Sequence, residues 1–336
     1  MTVIVPAEWA PHRAMWLGFP SHAEGVWEDE LAQAQVEVAA LARALAGPGR
    51  ETVRLMTGTS GGETMARRLL GDVAGIEIVP GRFGDVWLRD TGPIFARGPD
   101  GWSARGFRFN GWGGKYDMEF DDEVAAQIAE ASGVLLAAHD FILEGGAVDH
   151  DGIGTILTTG QCVLNPNRNP GWTQALAEAA FQDALGARKV IWLGEGLAND
   201  HTDGHVDNLA RFVAPGVVVC PVAFGRGDVN GAAYDDAAKR LASSTDADGR
   251  PLKVVRIPSP GWIEGHDGRA SPASHMNFII ANGAVIMPTY GEGQAADLAL
   301  QGLQSVFPDH AVIGLPSSAI LTGGGSFHCI TQQEPA

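Results

Sequence analysis

Five times along this chain a polar or acidic residue stands at the edge of a strand-like apolar run. The segments are FGDVWLRDTGPIFA, LEGGAVDHDGIGTILTT, DGHVDNLARFVAPGVVVCP, SHMNFIIANGAVIMP and GGSFHCITQQEP. With Asp90, Val148, Asp207, Asn277 and Cys329 as markers, the steps are 58, 59, 70 and 52 residues. Helix-like stretches with an apolar period near 3.6 are expected over 27–45, 64–70, 120–131, 173–185, 234–242 and 295–306. Strands are expected over 53–57, 76–79, 153–158, 190–192, 217–222, 254–257, 278–280 and 284–287. Each unit therefore mixes strands with a helix, and no Ser/Pro-rich linker divides the chain. The expectation is an α/β fold in which irregular units repeat around one closed, single domain spanning 1–336. A doubly wound sheet is the rival, but no Gly-x-Gly-x-x-Gly follows a strand, and TGTSGGET at 57–64 lacks the Walker lysine.

The 336 residues are 45% apolar, which suits an ordinary globular core. The opening MTVIVPAEWAPHRAMW has no basic region followed by an apolar stretch and a cleavage site, and runs such as GVVVCPVAF are too short to span a bilayer. A cytoplasmic protein is expected. A net charge of −17 repels nucleic acid and anionic membranes, so neither is expected as a partner, while a small cationic ligand is permitted.

Cys162, Cys220 and Cys329 form neither a disulfide framework nor a Cys-x-x-Cys zinc pair. Cys162 and Cys220 adjoin apolar runs and read as small buried hydrophobes. Cys329 lies among Gly, Ser, His, Thr and Gln, and reads as a functional thiol. In GHVD, His205 and Asp207 are two apart, which on an extended strand aims both at one face. One could move a proton while the other holds a cation; metal ligation and a purely structural role compete with that reading. Asp90 beside Arg89 and Glu144 before two glycines suit turn or cap devices as well as a site. Carboxylates gathered at one centre raise one another's pKa, so a cationic guest would make them tolerable.

The motifs WLRDTGP, FNGWGGKYD, LEGGAVDHDGIGTILTT, CVLNPNRNP, HTDGHVDN and GGGSFHCITQQEP resemble, in order and from about residue 9 to 335, the agmatine deiminases. These belong to the guanidine-modifying superfamily that also contains bacterial peptidylarginine deiminases. The resemblance implies a five-bladed, pseudo-symmetric α/β propeller with its site at the hub. It implies Cys329 as nucleophile, His205 as general acid and base, Asp90 and Asp207 gripping a guanidinium, and Glu144 behind His205, orienting it. Trp87 and the GWGG of Gly111–Gly114, with Trp112, Gly113 and Gly114, would form pocket wall, and Asp203 would help to bind substrate. The implied reaction converts agmatine to N-carbamoylputrescine and ammonia, a step towards putrescine, with no metal or organic cofactor and with a homodimer as a compatible assembly. Two places depart from the family pattern: His201 stands where an acidic residue is common, and the loop at 225–236 is altered. A deiminase of free or peptidyl arginine, and an amidinotransferase, remain as alternatives. Residues 165–170 read as a connection rather than as chemistry.

Overall fold

The computed structural model describes residues 3–22, 27–291 and 293–336. It contains five small sheets, one of four strands and four of three. The four three-stranded sheets share one pattern. Ile94–Gly98 pairs antiparallel with Gly101–Arg108, which pairs parallel with Leu135–Ile142. Val148–His150, Thr155–Thr159 and Lys189–Leu193 repeat it, as do Arg211–Ala214, Val217–Val222 and Lys253–Pro258, and then Ile279–Ile280, Ala284–Thr289 and Ala311–Pro316. A parallel pair needs a crossover, and each has a helix: Val124–Ser132, Gln174–Leu185, Gly231–Ala242 and Gln294–Val306.

The remaining sheet joins the two ends of the chain. Thr331–Pro335 lies antiparallel to His12–Phe19, which runs parallel to Val53–Thr57 and, through it, Ile76–Pro80. The helices Leu31–Ala46 and Ser60–Leu70 make its crossovers. Glu334 anchors the last strand, accepting from Trp16 Nε1 at 3.0 Å, Arg54 at 2.7 Å and Ser132 Oγ at 2.8 Å. Its carboxylate is buried, so these donors are needed to offset its desolvation.

Helix ends follow local chemistry. Thr59 and Thr173 are N-caps whose hydroxyls accept from Gly62 N at 3.0 Å and Leu176 N at 3.3 Å. Neighbouring units share apolar cores: Ile94 and Leu143 pack in one cluster with Ile156 and Phe181. No helix among the described residues is long and apolar enough to cross a membrane.

Candidate active site

Each marker residue of the sequence repeat falls at or just before the first strand of a sheet. Asp90 lies in the short helix Leu88–Thr91 ahead of Ile94–Gly98, and Glu144 caps the turn Gly145–Ala147 ahead of Val148–His150. Asp207 precedes Arg211–Ala214, Asn277 precedes Ile279–Ile280, and Cys329 precedes Thr331–Pro335. The extended strand expected for His205 and Asp207 is not what forms. His205 caps a 3-10 turn, Val206–Asn208, whose tightness turns Asp207 inward beside His205 rather than two pleats along a strand.

Gly146 measures how closely these edges converge. A Cβ there would lie 2.5 Å from His205 Nδ1, 2.9 Å from Asp90 Oδ1 and 3.1 Å from Asp207 Oδ2. Any side chain would displace the polar groups, so only glycine fits. Its amide donates to Asp90 Oδ1 at 3.0 Å, and Trp112 Nε1 donates to Asp90 Oδ2 at 2.9 Å. Trp112 holds that position with a left-handed backbone, φ 53°, a conformation costing on the order of 1 kcal/mol for a residue with a Cβ.

Cys329 is buried. Asn277 Oδ1 accepts from its amide at 3.2 Å and from that of His328 at 2.9 Å, while Asn277 Nδ2 stands 3.1 Å from Sγ as donor. The thiol points towards Asp207 Oδ2 at 3.9 Å. Burial, and then the Asp207 and Asp90 carboxylates, push it well above the ordinary thiol range.

His205 is buried, with Nδ1 3.7 Å from Asp90 Oδ1. Burial opposes its charge, but Asp90, Cys162 and Glu144 outweigh that and raise it well above the ordinary imidazole value. Asp90 is raised as well, by burial first and then by Asp207 and Glu144, against the pull of His205. Asp207 moves the other way. Burial lifts it, but the hydrogen bond and charge of His328, helped by His205 and Arg211, bring it below the ordinary carboxylate value.

That hydrogen bond begins a buried chain. His328 Nδ1 lies 2.8 Å from Asp207 Oδ2, and Nε2 lies 3.0 Å from Glu8 Oε2. Each ring nitrogen of His328 thus faces a carboxylate oxygen. Glu8 also meets Arg211, which bonds Asp149 at 2.6 Å and the carbonyl of Phe278 at 2.9 Å. Glu8 is thereby held far below its ordinary pKa, its desolvation outweighed by Arg211 and His328.

Glu144 lies near His205, but its hydrogen bond goes elsewhere: Oε1 accepts from Arg168 Nε at 2.6 Å. The segment 165–170, expected as a mere connection, thus delivers a buried arginine to the site. Cys162 is buried, as is Cys220, and Cys162 stands beside the histidine. Ligand atoms of Glu144, Cys162 and His205 lie within 4.8 Å of one another. They are the metal-capable group among the described residues, although Arg168 already supplies positive charge to the carboxylate a metal would use.

A cavity of about 170 Å³ opens on Cys329 and Asp90, with Trp87, Trp112, Tyr116 and His201 among its walls. His205 and Asp207 are fully buried and do not line it. Gly113, Gly114 and Asp203, expected as pocket residues, also lie outside its lining. The Gly113 amide is turned to Asn110 Oδ1 at 2.9 Å, and Asp203 is occupied by Lys115 and Arg168, each at 2.6 Å. His201 accepts or donates at Nδ1 to Tyr116 Oη, 2.7 Å away. The loop at 225–236 contributes nothing to the lining.

The fold and this centre define a protein whose sheet edges converge to set a buried cysteine beside two buried carboxylates and a histidine. The chain belongs to the Porphyromonas-type peptidyl-arginine deiminase family, whose model matches residues 4–335. It is 39% identical to an agmatine deiminase of Stutzerimonas stutzeri (strain A1501), covering 99% of this chain and 95% of that protein. Among solved structures, an agmatine deiminase of Enterococcus faecalis superposes with a TM-score of 0.91 at 33% identity, covering 99% of this chain and 96% of that one. A cysteine-to-serine variant of C. jejuni agmatine deiminase with substrate bound superposes at 0.88 and 26% identity, with 99% and 96% covered.

Proposed function

We propose that this chain hydrolyses the guanidinium group of agmatine to N-carbamoylputrescine and ammonia through a covalent intermediate on Cys329. The observation that carries this reading is the convergence of Asp90, Asp207 and His205 around Gly146, with the Cys329 thiol facing Asp207. It is supported by the names of the relatives and by the C. jejuni variant that holds substrate once a cysteine is replaced. The five sheets, with the chain ends paired in one of them, support a five-bladed propeller and a single domain whose hub is this centre.

A guanidinium is planar, permanently charged and suited to carboxylate acceptors on more than one edge. Asp207 Oδ1 is buried and has no partner among the described residues, which makes it the acceptor such an N–H needs. With Asp90 on another edge, the central carbon is presented to Cys329 Sγ. The bound cation lowers the cost of the thiolate, the thiol proton leaves to solvent through the open cavity, and sulfur adds to the central carbon as its C–N π electrons move onto nitrogen, giving a neutral tetrahedral adduct. His205, held in its charged form, protonates one nitrogen, and C–N cleavage releases ammonia and leaves an S-linked isothiouronium. His205, now neutral, takes a proton from water as its oxygen adds to the same carbon. Collapse breaks the C–S bond and releases the ureido product and the thiol.

Because the thiol is protonated until a cation arrives, alkylation should depend on charge. 2-Chloroacetamidine, which is cationic, is expected to inactivate the enzyme about 100-fold faster than neutral 2-chloroacetamide at pH 7.5. Equal rates would remove the substrate-assisted thiolate from the mechanism.

The function itself is tested by ureido-product formation from agmatine, free arginine and an N-blocked arginine peptide. Agmatine is expected to be preferred, because a cavity of about 170 Å³ suits a small guanidine. Preference for either arginine form would keep the chemistry and change the substrate. No ureido product from any of them, with transfer to an added amine, would replace hydrolysis by amidinotransfer.

A further inference from the structure

Asp85 is a buried carboxylate in the cavity wall that the chemistry above does not use. Its donors are all neutral: Val86 N at 2.8 Å and Trp27 Nε1 at 3.2 Å on Oδ1, and Trp87 Nε1 at 2.6 Å on Oδ2. No cationic side chain pairs with it among the described residues. Burial therefore lifts it to about 6, with the Val86 amide and the two indoles only partly opposing. A second buried carboxylate adjoins it through the backbone and brings no positive charge. Asp121 Oδ1 accepts from the amides of Gly84 at 2.7 Å and Asp85 at 3.3 Å, and Asp121 is lifted to about 7, by burial first and with a contribution from Asp85. A desolvated carboxylate held by fixed dipoles and lacking a counter-ion is a pre-organised seat for a cation.

Its position relative to the nucleophile is set by one indole. A Cβ on Gly325 would lie 2.6 Å from Trp87 Cζ3 and 3.1 Å from Cys329 Sγ, so the benzo edge of Trp87 borders the thiol. The opposite, Nε1 edge of the same ring rests on Asp85. Asp85 and Asp90 are the carboxylates lining the cavity among the described residues. Asp90 stands at the end where the guanidinium would react, and Asp85 stands an indole away from it.

We propose that Asp85 is the specificity determinant for the second cation of the substrate, seating the terminal ammonium of an aminoalkylguanidine while its guanidinium lies at Cys329. This rests on the deiminase reading above and names the residue that would separate a diamine-derived guanidine from one with an apolar or anionic tail. The alkyl chain would run along the face of Trp87.

The test compares agmatine with N-butylguanidine, which replaces the ammonium by a methyl. The wild type is expected to favour agmatine by about 100-fold in kcat/KM, and Asp85→Asn to reduce that ratio to within about fivefold, with the loss falling mainly on agmatine. Equal loss on both substrates would reduce Asp85 to a structural role and overturn the proposal, as would a ratio left intact. If Asp85→Asn does not fold, Asp85→Glu supplies the answer. Its carboxylate reaches further into the cavity, so the preferred chain should shorten from the butyl to the propyl homologue, and an unchanged optimum overturns the assignment. Wild-type turnover of both guanidines without preference would overturn it too while leaving deimination standing; no turnover of either would remove both.

Discussion

Cys329→Ser is expected to lower kcat by about 10⁴-fold or more while leaving the fold and agmatine binding in place. The substitution changes one atom. The Asn277 amide that stands 3.1 Å from Sγ can donate equally to a hydroxyl, and the backbone bonds from Cys329 and His328 to Asn277 do not involve the side chain. Thermal stability should therefore stay within about 1 kcal/mol of the wild type. What disappears is a nucleophile that a bound cation can ionise. A serine hydroxyl beside Asp207 and Asp90 would meet the same opposing charges that already push the thiol up, from a far higher starting pKa. Stopped-assay turnover and calorimetric binding of agmatine to the variant separate the two effects. Turnover within tenfold of the wild type would show that another group attacks the guanidinium, and Cys162 beside His205 would be the first to examine.

The candidate site was readable because its residues recur at one structural position. Asp90, Asp207, Asn277 and Cys329 each stand just before the first strand of a sheet, and apolar runs such as Val217–Val222 exposed that rhythm in the sequence. Asn277 served only as a marker of the repeat, yet it organises the cysteine turn; its equivalence to Asp90 and Asp207 was the available signal. The strand Leu135–Ile142 is not legible in the sequence, because it opens on exposed leucines and its apolar residues do not alternate. Thr331–Pro335 is hidden for another reason. It is polar from Thr331 to Glu334, and its burial depends on donors from Trp16, Arg54 and Ser132 that are remote in sequence. The partners of Glu144 and Asp203 were invisible for the same cause, since Arg168 lies in a segment with no periodicity at all. His328, adjacent to the nucleophile, gave no local sign that its ring faces Glu8 at the other end of the chain.

The charge on Asp207 should make its removal cut two ways. Asp207→Asn keeps the shape and can still accept from His328, but it places a neutral amide where a guanidinium N–H needs an anion. A loss of about 10³-fold in kcat/KM is expected, comparable to removing a pre-organised electrostatic contact together with half of a buried ion pair. The free thiol should respond in the opposite direction. Asp207 is the first charge, after burial, that holds Cys329 in its protonated form. Without it the thiolate becomes easier to reach, so neutral 2-chloroacetamide is expected to alkylate the variant about tenfold faster than the wild type at the same pH. Slower turnover with faster alkylation is a result that general damage to the site would not produce, because a collapsed or disordered centre loses both the clamp and the contacts that set the thiol. Turnover near the wild-type level would instead leave Asp90 as the sole carboxylate on the guanidinium, and slower alkylation would mean that His328, released from its acidic partner, no longer holds the cysteine turn in register.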